Sequence, residues 1–235
     1  MRHALVTGAG RGIGRHTALA LADAGPLAVV LMARSEDELA AVATEVRERG
    51  GEAHVVAADL CGDGQPEAAC ARALELLGGR LDLLVNNAGA FDLRDLEQVD
   101  RAFWDRMLAV NLTAPAFAVR ACLPGLRAAA AAGGAPAVVQ VASIAAEVGF
   151  PGNAAYGASK YGLRGLSDCL RAELEPAGIA VRTVYPKGTD TSIFDDVAGD
   201  WDRATMDRPE DVAALIVRAA EPGAPDELRM YDAPA

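Results

Sequence analysis

The first apolar run of the chain, His3–Val6, ends in Thr7-Gly8-Ala9-Gly10-Arg11-Gly12-Ile13-Gly14, and a helical pattern follows over Gly12–Ala24. Glycines this dense let the backbone adopt positive φ and approach a ligand closely. The start of the following helix offers unpaired N–H groups and a positive dipole end, both suited to a pyrophosphate. A glycine-rich turn between the first strand and the first helix is where a doubly wound α/β fold holds a dinucleotide. The spacing is not Gly-x-Gly-x-x-Gly, because Ile13 stands where a third glycine would fall. Nor is it a Walker loop, since no Gly-Lys-Ser/Thr follows.

The rest of the chain repeats the same alternation. Strands are expected at Ala28–Leu31, Glu52–Ala57, Leu81–Val85, Ala137–Val141 and Ala180–Val184, with a short last one at Leu228–Tyr231. Helices are expected at Glu36–Arg49 (Ser35 as N-cap), Glu67–Leu77, Phe103–Ala131, Ala155–Glu175 and Pro209–Ala220. Near-continuous apolar strands such as Ala28-Val29-Val30-Leu31 suit a parallel sheet covered on both faces. The expectation is therefore a single-domain, Rossmann-like α/β fold with a doubly wound parallel sheet. A length of 235 residues fits one such domain. Residues Ser192–Arg208 show no period and carry Phe194, Trp201 and Met206; such a loop is expected to serve as a substrate lid.

The net charge of -11 argues against a nucleic-acid partner or an anionic membrane surface. The sequence contains no run of about 18 uninterrupted apolar residues, the length that spans a bilayer. Cys61, Cys70, Cys122 and Cys169 lie far apart with no metal spacing, which is consistent with reduced thiols. No basic stretch leads into a signal-length apolar segment. These features together give a cytoplasmic expectation without a metal.

The second strand runs into Met32-Ala33-Arg34-Ser35. A site for a plain ribose 2′-hydroxyl places an acid near this point. Here Arg34 stands instead and suits a 2′-phosphate, with Arg11 as a second positive charge. That favours NADP over NAD. Asp59 and Leu60 follow the third strand; Asp59 either hydrogen-bonds an adenine or caps a turn. Further along, Tyr156 and Lys160 share one helix face, with Ser143 upstream. A positive charge beside a phenol lowers its pKa from about 10 and makes it a usable acid–base group.

Five pieces occur in a fixed order: Thr7-Gly-x-x-x-Gly-x-Gly14, Asn86-Asn87-Ala88-Gly89, Asn111, Ser143 and Tyr156-x-x-x-Lys160. In this the chain resembles the short-chain dehydrogenase/reductase family over about residues 1–191. The resemblance implies that Tyr156 moves a proton to or from the substrate oxygen. It implies that Lys160 lowers the tyrosine pKa and holds the nicotinamide ribose, that Ser143 steadies the oxygen, and that Asn111 completes a water-linked path to Lys160. The cofactor contacts it implies are Gly8, Gly10, Arg11, Gly12, Ile13, Gly14, Arg34, Asp59, Leu60, Asn87, Ala88, Gly89, Tyr156, Lys160, Pro186, Gly188, Thr189 and Thr191.

Two departures stand out. The family has Pro-Gly after the sixth strand, whereas here Lys187 follows Pro186. That lysine either points to solvent or meets an anionic substrate or cofactor phosphate. The chain also lacks the glycine-rich ending that many members carry, so a homodimer is expected before a homotetramer. The expected activity is NADP-dependent interconversion of a small-molecule carbonyl and an alcohol, in a pocket of Ile144, Ala145, Phe150, Asn153, Tyr185, Phe194 and Trp201. The alternatives are a catalytically impaired dinucleotide sensor or scaffold, and an epimerase or dehydratase.

Overall fold

The computed structural model describes residues 1–62, 64–195, 197 and 199–232. Asp196 and Ala198 of the expected lid, and Ala233–Ala235, lie outside the described residues. The strands are β1 (Arg2–Thr7), β2 (Leu27–Ala33), β3 (Glu52–Ala57), β4 (Leu83–Asn86), β5 (Ala137–Val141), β6 (Ala180–Tyr185) and β7 (Glu227–Arg229). They form one parallel sheet in the order β3-β2-β1-β4-β5-β6-β7. The order reverses between β1 and β4, which opens a crevice at their carboxyl ends.

The helices are α1 (Gly12–Asp23), α2 (Glu36–Glu48), α3 (Gln65–Leu76), α4 (Arg101–Leu108), α5 (Ala114–Ala131), α6 (Ala154–Leu174) and α7 (Pro209–Ala219). Alternation along each strand divides its side chains between the two faces. Ala4, Val6, Val29, Leu31 and Leu83 pack with Leu19 of α1, Leu39 of α2 and Ile216 of α7. Leu5, Val30, Leu84 and Val138 pack with Cys70 of α3, Ala118 of α5 and Leu174 of α6. Each fully buried leucine here contributes about 1.5–3 kcal/mol relative to exposure. Ser35 caps α2 as expected, its side chain accepting from the Glu38 N–H at 3.3 Å.

One element departs from the sequence pattern. The long helix expected over Phe103–Ala131 is interrupted by a π-helical turn at Ala109–Thr113, with Asn111 at its centre. A π turn inserts an extra residue and rotates the helix face. Asn111 thereby reaches the loop after β4, where its Oδ1 accepts from the Ala90 N–H and its Nδ2 donates to the Ala90 carbonyl, both at 2.9 Å.

Candidate active site

The phosphate loop is shaped by contacts that leave no room for side chains. Gly8 and Gly12 take positive φ of 65° and 52°. A Cβ on Gly14 would stand 2.1 Å from the Gly8 carbonyl oxygen and 2.6 Å from Asn87 Nδ2. Asn87 and Thr7 tie this loop to β4: Asn87 Nδ2 donates to the Thr7 carbonyl at 2.9 Å, and the Asn87 and Ala88 N–H groups donate to Thr7 Oγ1 at 3.0 Å. A Cβ on Gly12 would lie 3.1 Å from Thr191 Cγ2, so the segment after β6 folds back over the loop. Among the described residues no side chain caps the start of α1, and its first turn holds no acid. The backbone cradle, the uncapped helix start and the crevice between β1 and β4 fit the pyrophosphate of a dinucleotide.

At the adenosine end Arg11 and Arg34 lie exposed beside neighbouring strand ends. The fold adds a residue that sequence reasoning missed. Glu38, in the first turn of α2, reaches back so that a Cβ on Gly10 would meet its Oε2 at 2.9 Å. An acid thus stands near the adenosine end after all. Asp59 caps a turn, its Oδ1 accepting from the Cys61 N–H at 3.0 Å. Leu60 is buried in the apolar layer beneath α3.

Tyr156 and Lys160 project from one face of α6 toward the loop after β4. Lys160 is buried; its Nζ donates to the Val141 carbonyl at 3.0 Å and lies 5.8 Å from the centre of the Tyr156 ring. Burial lowers the Lys160 pKa to about 8. Tyr156 keeps part of its surface, but dense packing desolvates its hydroxyl and raises its pKa to about 12, while a hydrogen bond from Ser143 acts the other way. The expected lowering by Lys160 is therefore not seen in this arrangement. The ammonium is directed at a backbone carbonyl, and desolvation dominates.

Ser143 joins two tasks. Its hydroxyl caps the short turn Ile144–Ala146 by accepting from the Ala145 N–H at 3.1 Å, and it also bonds Tyr156. Asn111 Nδ2 donates to Ser159 Oγ at 3.0 Å, and Ser159 donates to the Tyr156 carbonyl at 2.6 Å. Asn111 thus reaches the tyrosine's backbone through Ser159, a residue sequence reasoning passed over. Gly89 fits between Asn111 and Lys160: a Cβ there would lie 3.2 Å from Asn111 Oδ1 and 3.7 Å from Lys160 Nζ.

Lys187 lies exposed and also finds an acidic partner within the chain. Its Nζ pairs with Asp207 Oδ1 at 3.5 Å, and Thr189 bridges to Asp207 alongside. Gly188 backs onto Met206, and the Thr189 hydroxyl donates to the Lys187 carbonyl at 3.2 Å. Tyr185 does not line the pocket. It is fully buried, and its hydroxyl donates to Glu227 on β7 at 2.7 Å. The Ser143 loop is braced from the same side, where Arg229 donates to both oxygens of Glu147, with distances of 2.7–3.2 Å.

The described part of Ser192–Arg208 is more ordered than its sequence suggests. It contains short helical turns at Ser192–Phe194 and Arg203–Thr205. Arg203 holds it together, donating to Asp190 at 2.8 Å, the Thr191 carbonyl at 2.9 Å and Asp195 at 2.6 Å.

The fold and this crevice define a doubly wound α/β protein with a tyrosine–lysine–serine site at its switch point. The sequence profile of the short chain dehydrogenases matches residues 2–200. The chain is 35% identical over 192 residues to the short-chain dehydrogenase/reductase FrzI of Cladobotryum sp., covering 81% of this chain and 72% of that one. Its fold is similar to an alcohol dehydrogenase from the archaeon Thermococcus sibiricus complexed with 5-hydroxy-NADP. The TM-score is 0.87 at 27% identity, over 100% of this chain and 99% of the other. It is also similar to a 3-ketoacyl-(acyl-carrier-protein) reductase from Brucella melitensis complexed with NADH. There the TM-score is 0.86 at 27% identity, over 97% and 96% of the two chains. The chain belongs to the short-chain dehydrogenase/reductase family and is an oxidoreductase of that family.

Proposed function

We propose that this chain is an NADP(H)-dependent oxidoreductase that interconverts a ketone or aldehyde and an alcohol. The observation that carries the reading is the meeting of Tyr156, Ser143 and Lys160 above the glycine cradle. In the reducing direction Tyr156 gives its proton to the carbonyl oxygen. A phenol held near 12 stays protonated at neutral pH but releases that proton reluctantly, so it needs a positive charge close by. Ser143 donates to the same oxygen and steadies the charge that develops there. Lys160, about as much charged as neutral near pH 8, supplies the positive charge that lowers the phenol's pKa once it turns from Val141. A bound nicotinamide supplies or takes the hydride. Gly8–Gly14 and Asn87–Gly89 would cradle its pyrophosphate and ribose, with Pro186, Gly188, Thr189 and Thr191 along the nicotinamide side. Closure of Ser192–Arg208 over the substrate belongs to the same proposal.

Arg34 and Arg11 support NADP, and a 2′-phosphate between them gains charge-assisted bonds. Glu38 beside Gly10 supports a second reading, NAD, because an acid there suits a free ribose hydroxyl. A panel of ketones and alcohols run with NADPH and NADH in parallel tests both. We expect kcat/KM to favour NADPH by at least tenfold; equal or reversed preference would hand the adenosine end to Glu38.

A homodimer is part of the proposal. The segment Arg101–Ala131 is long and apolar enough, by length and composition, to cross a membrane, and only 39% of its most apolar window is buried within the chain. On α6, beside it, Tyr161 is 47% exposed. A second copy would cover this face. Sedimentation velocity should give the mass of two chains, and a single-chain mass at micromolar concentration would refute the assembly.

A further inference from the structure

The chain has five Phe, two Trp and four Tyr, and two Phe, one Trp and one Tyr of these meet at the site. Phe91 stands edge-on to Tyr156 with ring centres 4.9 Å apart. Phe194 and Trp201, from the loop after β6, meet Phe91 at 5.2 and 5.9 Å and each other at 5.0 Å. All four rings are only partly buried, and they lie where the loop after β4 faces the loop after β6. Among the described residues the two apolar layers that sandwich the sheet are built without aromatic side chains, so this cluster lies outside them.

We infer that the substrate is a neutral aryl ketone, or the matching aryl carbinol, whose ring inserts between Phe91 and the Phe194–Trp201 pair. This rests on the oxidoreductase reading above and names its substrate class. A ring entering the cluster exchanges one edge-to-face contact for another, so parting the rings costs little quadrupolar energy. A saturated group of the same size breaks those contacts without replacing them. Each aromatic contact is worth about two- to tenfold in affinity beyond its buried area. The carbonyl attached to an inserted ring points toward the Tyr156 and Ser143 hydroxyls, because Phe91 packs directly on the tyrosine. Around the loop rings Arg203 pairs with Asp190 and Asp195, Lys187 with Asp207, and Arg94 with Asp92, so these cations are already met by carboxylates and the aromatic faces are left for a neutral group.

The test compares acetophenone with cyclohexyl methyl ketone, which differ in ring saturation alone. Intrinsic reactivity cancels when the aryl-to-cyclohexyl ratio of kcat/KM in wild type is divided by the ratio in Phe91→Leu or Trp201→Leu. We expect that quotient to be about three- to tenfold for each variant; a quotient within twofold of one overturns the inference. Thermal melts confirm that each variant is folded. Binding is measured separately on Tyr156→Phe, by quenching of Trp201 fluorescence in a Trp104→Phe background. Tighter binding of acetophenone without turnover in wild type would keep the aryl slot and sink the oxidoreductase reading. Equal binding of the two ketones would sink the slot, whatever the turnover.

Discussion

Tyr156→Phe is expected to lower kcat by about 10²- to 10⁴-fold, the usual contribution of a placed proton donor. The substitution removes one oxygen and leaves the ring, so the contact with Phe91 at 4.9 Å persists. Binding of the dinucleotide should change little, because the phosphate loop and Lys160 are untouched. Steady-state rates with a turned-over ketone, beside cofactor titration by fluorescence, separate the two effects. A variant that keeps the wild-type rate would remove the tyrosine from its proposed role. Ser143 should not fill the gap, because a serine hydroxyl is far too weakly acidic to give up its own proton.

Lys160→Met is expected to abolish turnover to a similar degree and, at the same time, to stabilise the protein alone. The lysine is 5% exposed, and among the described residues its ammonium has one hydrogen-bond partner, the Val141 carbonyl. Its folded pKa of about 8 lies below the usual lysine value of 10.5. Folding therefore carries a penalty that is full below pH 8, where the folded protein must hold the charged form. The penalty shrinks as pH rises from 8 toward 10.5, because there the unfolded chain binds the extra proton and stability rises with pH. Methionine fills a similar volume without the charge. After allowance for the carbonyl left without its donor, the gain at pH 7 is on the order of 1–3 kcal/mol, or about 2–10 °C in Tm. Thermal melts across pH 7 to 10 check this: the variant's advantage should fall toward zero at the alkaline end. Tyr156 titrates in both proteins and cancels from the difference. A variant less stable than wild type at pH 7 would mean that the hydrogen bond to Val141 outweighs burial of the charge.

The sheet was readable because parallel strands covered on both faces appear as short apolar runs, and β1 to β6 fall on those runs. The motif residues were readable because each sits at the carboxyl end of a strand or on the helix after it. What escaped lies between residues distant in sequence. Glu38 reaches Gly10 from the next helix, and Lys187 finds Asp207 beyond the loop that separates them. Tyr185 looked like a pocket residue from its place at the end of β6. The partner that draws its hydroxyl inward is Glu227, on a strand added at the sheet's edge. The π turn at Asn111 had no sequence signature, because the pull on that side chain comes from the backbone of Ala90. Phe91 stands two positions after the Asn86–Gly89 stretch; only the fold shows that it meets Phe194 and Trp201. The direction of the Tyr156 shift reversed because spacing tells which charge is near, while burial depends on everything that packs around it.

The clamp between Glu147 and Arg229 has a bearing on synthesis. The two residues are 82 positions apart, and β7 is the last of the seven strands to leave the ribosome. A nascent chain can already possess its glycine cradle, its tyrosine and its lysine while the turn carrying Ser143 has Arg164 near Glu147 at 3.4 Å but still lacks the closer guanidinium of Arg229. Assembly of the chemistry is thus tied to completion of the sheet, and a tag or truncation near β7 would reach the serine from the opposite end of the chain.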